Sequence, residues 1–337
     1  MIRFVLVAST CAALAGAVAV GSDHARWSAL LLHAEPVLLT ALAVGAYAAW
    51  TARFRVMAGG LLVGGVIGFG LVRLPAQAAG PMRAAPAWAA RVQSCAAAID
   101  PPTAPVGLLQ WTLGSDVDED AILRAVEVIE PDVVVLFNLP DSAVLVAVED
   151  RLGGEYAFLP PTATSAGLGI YTRGEFSLCD GVDEWVDGLD GPGGIHVGFV
   201  GLGRTATFPL VVTRFPAPWS AGDWSAEMAD SGERLSALLD TLRSPLTVVM
   251  ADAPVTGTYR HLFGELAALG VRPVATPPNF PARFAGLPLL PLHAYDRMWI
   301  GGGWVPLTSR RVRMDSGIRT PVWTQLDPLE SRSAWLP

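Results

Sequence analysis

The clearest indication of the fold is the segment Leu246-Thr247-Val248-Val249-Met250-Ala251-Asp252-Ala253-Pro254. Its β-branched apolar run ends on one acidic residue and a proline. This pattern predicts a buried strand, Leu246 to Met250, that delivers Asp252 to the end of a sheet. A strong helical pattern at Ala226 to Leu242 precedes it, and α/β enzymes keep their catalytic residues at such strand ends.

The rest of the C-terminal three quarters alternates strand and helix patterns in a way that favours a mixed α/β sandwich over a doubly wound sheet. Two further elements are well marked: the continuous apolar strand Val133 to Phe137 and the amphipathic helix Asp116 to Glu130. The remaining predicted strands are Val106 to Leu113, Tyr156 to Leu159, Gly167 to Tyr171, Ile195 to Val200, Phe208 to Thr213, Met298 to Ile300 and Val322 to Gln325, and the remaining predicted helices are Ser142 to Leu152 and Thr256 to Leu269.

The N-terminal quarter contains three long apolar runs, Ile2 to Val20, Trp27 to Trp50 and Val56 to Val72. Each is long enough, at about 1.5 Å per residue, to cross most of a bilayer core of about 30 Å. We therefore expect a three-helix transmembrane anchor at 1–74. A secretory signal peptide is the alternative for the first run, because one positive charge precedes a stretch of small residues.

Arginines flank these runs and predict the orientation of the chain. Arg3 precedes the first run, and Arg53 and Arg55 occupy the loop between the second and third. The positive-inside rule then places the N-terminus in the cytoplasm and everything after Val72 outside a bacterial inner membrane, in the periplasm or beyond. The expected partners are the lipid bilayer and membrane proteins.

The predicted domain plan places an Ala/Pro-rich linker at 75–105, a globular domain at 106–326 and a C-terminal tail at 327–337. Cys95 lies in the linker and Cys179 in the domain. In an exported domain these two thiols are candidates for a disulfide, and two free thiols are the alternative.

The charge of the chain limits its partners. Arginine supplies all 23 basic residues against 31 acidic ones, for a formal net charge of −8. An acidic surface repels phosphate backbones, so nucleic acid is not an expected partner. The absence of lysine also excludes a Schiff-base nucleophile and a P-loop phosphate ligand.

Six short motifs, in the right order, resemble those of the endonuclease/exonuclease/phosphatase family, a metal-dependent phosphodiesterase family with a DNase I-like fold. The match extends over Val106 to about Leu326, and the three apolar runs ahead of it are similar to a membrane-anchored bacterial branch. The resemblance implies a four-layer α/β/β/α sandwich. The segments that carry it are Pro131 to Asn138, Gly167 to Arg173, Val211 to Arg214, Ala251 to Pro254, Tyr295 to Trp299 and Ser316 to Val322.

The resemblance also implies a degenerate active site. Of the family's catalytic positions only Asp252 and Asp296 keep the expected residue. The metal-binding Glu corresponds to Asn138, and the closing Ser-Asp-His motif has no equivalent at Ser316 and Gly317. Three other positions are also replaced: the first-strand Asn by Thr112, the phosphate-binding His by Arg214, and the Asn of the Gly-Asp-x-Asn motif by Pro254.

These replacements remove the main carboxylate that Mg²⁺ prefers, and loss of a general base typically costs about 10²- to 10⁴-fold. We therefore expect no metal site and no cofactor, and a non-catalytic binding or assembly subunit of a membrane or envelope complex. The alternative is a divergent phosphodiesterase or phosphatase at the membrane surface that uses Mg²⁺ or Mn²⁺. A third hypothesis is an anion-binding module in which Arg214 and Arg297 receive the ligand.

Overall fold

The computed structural model describes the sequence from residue 102 onward in segments. These are 102–114, 117–139, 142–159, 167–177, 195–202, 206–215, 224–242, 244–253, 266–267, 269–279, 283–284, 287–288, 294–314 and 319–329, besides Tyr47 and Thr51. None of the helices in these segments has the length and apolar character of a membrane span. Apart from Tyr47 and Thr51, the expected anchor at 1–74 lies outside the described residues, as do Cys95 and Cys179.

The chain divides into two compact units. The first comprises Met1–Gly80, Ala217–Ala226 and Val255–Glu265, nearly all of it outside the described residues. The second comprises Pro81–Pro216, Glu227–Pro254 and Leu266–Pro337 and contains the sheets described below.

The described elements alternate strands with three helices. In chain order they are β1 (Val106–Thr112), α1 (Glu119–Ile129), β2 (Val133–Phe137), α2 (Ser142–Leu152), β3 (Ala157–Leu159), β4 (Leu168–Thr172), β5 (Glu175–Ser177), β6 (Ile195–Leu202), β7 (Ala206–Arg214), α3 (Trp224–Leu242), β8 (Val248–Asp252), β9 (Arg272–Pro273), β10 (Arg283–Phe284), β11 (Leu287–Pro288), β12 (Asp296–Ile300), β13 (Trp304–Arg311) and β14 (Val322–Pro328).

Two six-stranded sheets form the frame of the domain. The first has the order β13-β14-β1-β2-β4-β3 and the second β5-β6-β7-β8-β12-β9. Each sheet contains one parallel pair, β1 with β2 and β7 with β8, and a helix joins the two strands of each pair. Such a crossover aligns the carboxyl ends of both strands at one edge of the sheet.

The two sheets pack face to face through an apolar layer. Leu108, Val135, Leu210 and Met250 belong to one buried cluster that draws on both sheets. A cross-sheet aromatic contact adds to this layer, because the rings of Phe208 and Trp304 lie edge to face with centroids 5.3 Å apart. The other face of the first sheet packs against α1 and α2 through a second cluster.

The sequence predicted most of these elements, and Val133–Phe137 and Ser142–Leu152 have the predicted bounds. Helix α1 begins later than predicted, at Glu119, because the Asp118 carboxylate caps it by accepting a hydrogen bond from the Ala121 amide at 2.8 Å. Strand β8 also begins later, at Val248, because Leu246 and Thr247 form a turn with Ser244.

Strand β13 was not predicted. It is an edge strand in which most side chains are exposed or half-buried and Pro306 interrupts the apolar pattern, so the sequence shows no regular alternation. Strand β14 continues to Pro328, two residues beyond the predicted end of the domain at Leu326. Of the predicted helix Thr256 to Leu269, the structure describes only residues 266, 267 and 269.

Candidate functional site

The candidate site lies at one end of the sandwich, where strands of both sheets end. In the second sheet, Arg214 is the parallel neighbour of Asp252, and Asp252 is the antiparallel neighbour of Asp296. Side chains alternate between the two faces of a strand. Met250 and Met298 face the layer between the sheets, so Asp252 and Asp296, two residues away on the same strands, face it as well.

The first sheet reaches this end through β1. The Thr112 hydroxyl donates a hydrogen bond to Asp296, and the Thr112 backbone N–H lies 3.4 Å from the same carboxylate. Two residues earlier on β1, Gln110 Nε2 donates a hydrogen bond to the Ala251 carbonyl at 2.8 Å. The apolar layer between the sheets is therefore replaced at this end by polar contacts that join them.

Asp296 is completely buried. Besides Thr112, its carboxylate accepts a hydrogen bond from Asn279 Nδ2, while Asn279 Oδ1 accepts from the Tyr295 amide at 3.0 Å. Burial raises the pKa of Asp296 to about 6, although the Arg319 charge and the Thr112 hydrogen bonds favour the ionised form. The negative charge of Asp252 acts in the opposite direction and raises the pKa of Asp296.

Asp252 faces two guanidinium groups. Arg319 Nη1 lies 2.9 Å from Asp252 Oδ1, and Arg214 Nε lies 3.6 Å from Oδ2. Burial alone would lower the pKa of Arg319, but the Asp252 and Asp296 carboxylates outweigh it and raise that pKa above its ordinary value. Each oxygen of Asp252 is thus matched by its own positive charge.

Arg319 is held in place from several sides. Its guanidinium carbon lies 4.8 Å from the centre of the Tyr295 ring, and its carbonyl accepts a hydrogen bond from Trp111 Nε1 at 3.0 Å. Only 14% of its side chain is exposed, whereas Arg214 is 45% exposed. Arg319 is therefore an internal counterion, and Arg214 presents a charge to solvent.

This arrangement does not fit a divalent cation at Asp252. A cation bound to that carboxylate would lie within a few ångströms of two guanidinium groups, and like charges at that separation repel strongly at low dielectric. Among the described residues, no three His, Cys, Asp or Glu side chains are grouped in a way that could hold a metal ion.

Asn138 follows β2 at the same end of the first sheet, and its backbone conformation explains why asparagine is suited to this position. Its φ is +58°, in the left-handed region that asparagine tolerates better than most residues. It faces Gly167, whose φ is +84° and whose carbonyl accepts a hydrogen bond from the Leu139 amide at 2.9 Å. The turn favours Asn138 whether or not a metal ligand is needed there.

The remaining predicted site residues separate into two groups. Arg297 is next to Asp296 in sequence, so strand alternation places it on the opposite face of the sheet from Arg214. Burial lowers the pKa of Arg297 to about 10. Pro254, Ser316 and Gly317 lie outside the described residues.

Two site residues were not predicted, Arg319 and Asn279. Arg319 had a signal in the resemblance described above: counting back two positions from Pro321 aligns Arg319 with the histidine of the closing motif Ser-Asp-His-x-Pro-Val. The same resemblance aligns Arg214 with a histidine. Asn279 had no signal, because it lies in a Pro-rich loop far from any motif.

The described domain is a strand-rich mixed α/β fold, and it is similar to several solved structures. Sphingomyelinase C from Streptomyces griseocarneus is 16% identical, with a TM-score of 0.46, covering 66% of this chain and 99% of that one. An endonuclease/exonuclease/phosphatase family protein from Bacteroides thetaiotaomicron is 9% identical, with a TM-score of 0.48 and coverage of 66% and 97%. The catalytic domain of human nocturnin is 13% identical, with a TM-score of 0.46 and coverage of 68% and 96%.

Sequence comparison adds no family assignment. The sequence matches no protein-family model and no curated protein.

Proposed function

We propose that this protein is a membrane-anchored, non-catalytic protein of the endonuclease/exonuclease/phosphatase fold. It serves as a binding or assembly subunit of a membrane or envelope complex. The predicted anchor would hold it in a bacterial inner membrane, with the domain on the periplasmic side. It would use no cofactor.

The observation that carries the proposal is the pairing of Asp252 with Arg319 and Arg214. A carboxylate that serves a metal-dependent phosphodiesterase must be free to hold a cation or to orient a water molecule. Here its two oxygens face guanidinium groups at 2.9 and 3.6 Å. Arginine is not a general base either, because its pKa lies far above the working pH.

The alternative is a divergent metal-dependent phosphodiesterase or phosphatase acting at the membrane surface. It is favoured by one observation, the side-by-side position of Asp252 and Asp296 on neighbouring strands, because two carboxylates in one site are a frequent arrangement for Mg²⁺ or Mn²⁺. In this alternative, Arg214 and Arg319 would have to move away from Asp252 before metal could bind.

A turnover assay separates the two. The full chain in mild detergent is incubated with Mg²⁺ or Mn²⁺ and a panel of phosphodiesters and phosphomonoesters, beside Asp252→Asn and the matched control Asp120→Asn, a change at an exposed helical site. We expect all three proteins to match the buffer background. Metal-dependent turnover that Asp252→Asn abolishes and Asp120→Asn keeps would establish the alternative.

The mass of the particle that contains the protein tests the assembly role. The protein is extracted from native membranes in mild detergent, and the mass of the particle is measured by light scattering with the detergent contribution subtracted. A mass well above that of one 35.4 kDa chain is expected. A lone monomer would contradict the assembly role and leave the turnover result unaffected.

A further inference from the structure

The free edge of the first sheet carries an arginine cluster that the candidate site does not use. Strand β13 pairs with β14 on one side, and within the described residues no strand pairs with its other side. Arg310, Arg311 and Arg313 lie on this strand and just beyond it, and all three are exposed. We call these three residues with Leu307 the arginine edge.

The charge of this edge is opposite to that of the chain. Three arginines and one acidic residue, Asp315, occur from Gly301 to Asp315, whereas the whole protein has a formal net charge of −8. On the paired strand, Asp327 is buried and lies opposite Val305, at the far end from the arginines. The edge is therefore a local positive surface on an acidic protein, and such a surface attracts anions.

One of the arginines is ordered before any ligand arrives. The Arg310 guanidinium carbon lies 4.7 Å from the centre of the Trp323 ring. This cation–π contact restrains the side chain, and the planar guanidinium fork matches phosphate oxygens. Val312, between Arg311 and Arg313, is buried in the core cluster of the helical face and fixes the backbone of this segment.

The edge is unsuited to the addition of another strand. Pro306 has no N–H to donate, and the register shifts between Pro306 and Thr308, where β13 bulges. Proline, bulges and exposed charges are the features by which edge strands avoid pairing with other chains. An occupant of this surface is thus recognised by charge and not by a ladder of backbone hydrogen bonds.

The exposed leucine and the register of the sheet indicate which anionic surface this is. Leu307 is 42% exposed, next to Pro306, and Pro306 and Val106 both pair with Leu326 from opposite sides of β14. Strand β1 therefore begins at the end of the sheet where Leu307 lies. An exposed leucine three residues from the nearest of these arginines is a combination suited to the headgroup region of a bilayer.

We propose that the arginine edge docks the domain onto an anionic phospholipid surface, with the arginines on lipid phosphates and Leu307 in the headgroup region. This inference rests on the proposed membrane location, and it adds a second, reversible contact to the predicted anchor. Each arginine near an anionic surface contributes about a fivefold gain in partition at low salt. Because Arg310 and Arg311 are successive strand residues on opposite faces, roughly 100-fold is the upper limit for the three together.

Flotation with added vesicles tests the docking. The full chain is placed in phosphatidylcholine nanodiscs and mixed with separate vesicles of phosphatidylcholine, with or without phosphatidylglycerol. We expect preferential flotation with the phosphatidylglycerol vesicles. That preference should fall at least about fivefold and at most roughly 100-fold in the triple variant R310Q/R311Q/R313Q, and added salt should also weaken it.

The matched control is R124Q/R151Q/R173Q, which removes the same charge from three other exposed arginines and should keep the preference. Leu307→Asn, a second variant that leaves the charge unchanged, should lower the partition several-fold. Equal binding by both triple variants, or no preference for phosphatidylglycerol in the wild type, would overturn the docking. If the chain fails to insert into nanodiscs, the predicted anchor is wrong, and the same flotation with the free chain still tests the arginine edge.

Discussion

Replacing Arg319 with methionine should lower the free energy of unfolding by about 3 kcal/mol at neutral pH. Removing one partner of a buried ion pair typically costs about 3 to 5 kcal/mol, because the other charge stays buried without compensation. Asp252 has a side chain only 4% exposed and would keep only Arg214, at 3.6 Å and 45% exposed. This residual partner puts the expected cost at the lower end of the range.

A double-mutant cycle separates the pair from general loss of packing. Wild type, Arg319→Met, Asp252→Asn and the double variant are unfolded in urea and followed by tryptophan fluorescence. Since each single change leaves the same ion pair broken, the double variant should cost little more than the larger single change. Arg124→Met, at an exposed helical site, is the control and should change stability by less than about 0.5 kcal/mol. Additive costs for the two site changes, or a cost near zero for Arg319→Met, would refute the assignment of Arg319 as the counterion of Asp252.

Three other predictions concern the pH response and the frame of the domain. Burial raises the folded-state pKa of Asp296 to about 6, so the stabilising effect of its protonation is fully present below about pH 4 and is lost as pH rises through 6. In urea titrations, the wild type should therefore lose up to about 3 kcal/mol of unfolding free energy over that interval relative to Asp296→Asn. Parallel pH profiles of the two proteins would contradict this. Gly174→Ala should lower the free energy of unfolding by more than about 3 kcal/mol, because the added Cβ would lie 1.6 Å from the Gly201 carbonyl oxygen. Gly154→Ala is the control in the same thermal melts and should be close to neutral, because the space around Gly154 is open. Asp118→Ala should cost about 1 kcal/mol by loss of the α1 cap, and an unchanged melting temperature would show that the cap is dispensable.

The sequence was sufficient for the strands that lie in the middle of the sheets. Val133–Phe137 and Val248–Asp252 are buried on both faces, so they are continuous apolar runs in the sequence and their position is unambiguous. Edge strands are harder to predict from sequence, as strand β13 shows. Most of its side chains are exposed or half-buried, so its residues follow no regular alternation of apolar and polar types.

The candidate site was only partly predictable for a different reason. The sequence predicted a strand that delivers Asp252 to the end of a sheet, and the family resemblance named Asp296, Thr112 and Arg214 as further positions of one site. It did not give their partners, since Arg319 reaches Asp252 from a loop 67 positions along the chain. Loop contacts of this kind depend on tertiary packing, which local patterns do not encode.

We propose that Arg319 and Arg214, at 2.9 and 3.6 Å from the two oxygens of Asp252, keep that carboxylate from binding a divalent cation. A titration of the full chain with Mn²⁺ tests this, because the electron paramagnetic resonance signal of free Mn²⁺ reports binding. We predict identical titration curves for the wild type, Asp252→Asn and the Asp120→Asn control. An additional Mn²⁺ bound by the wild type and by Asp120→Asn, and absent in Asp252→Asn, would contradict the claim.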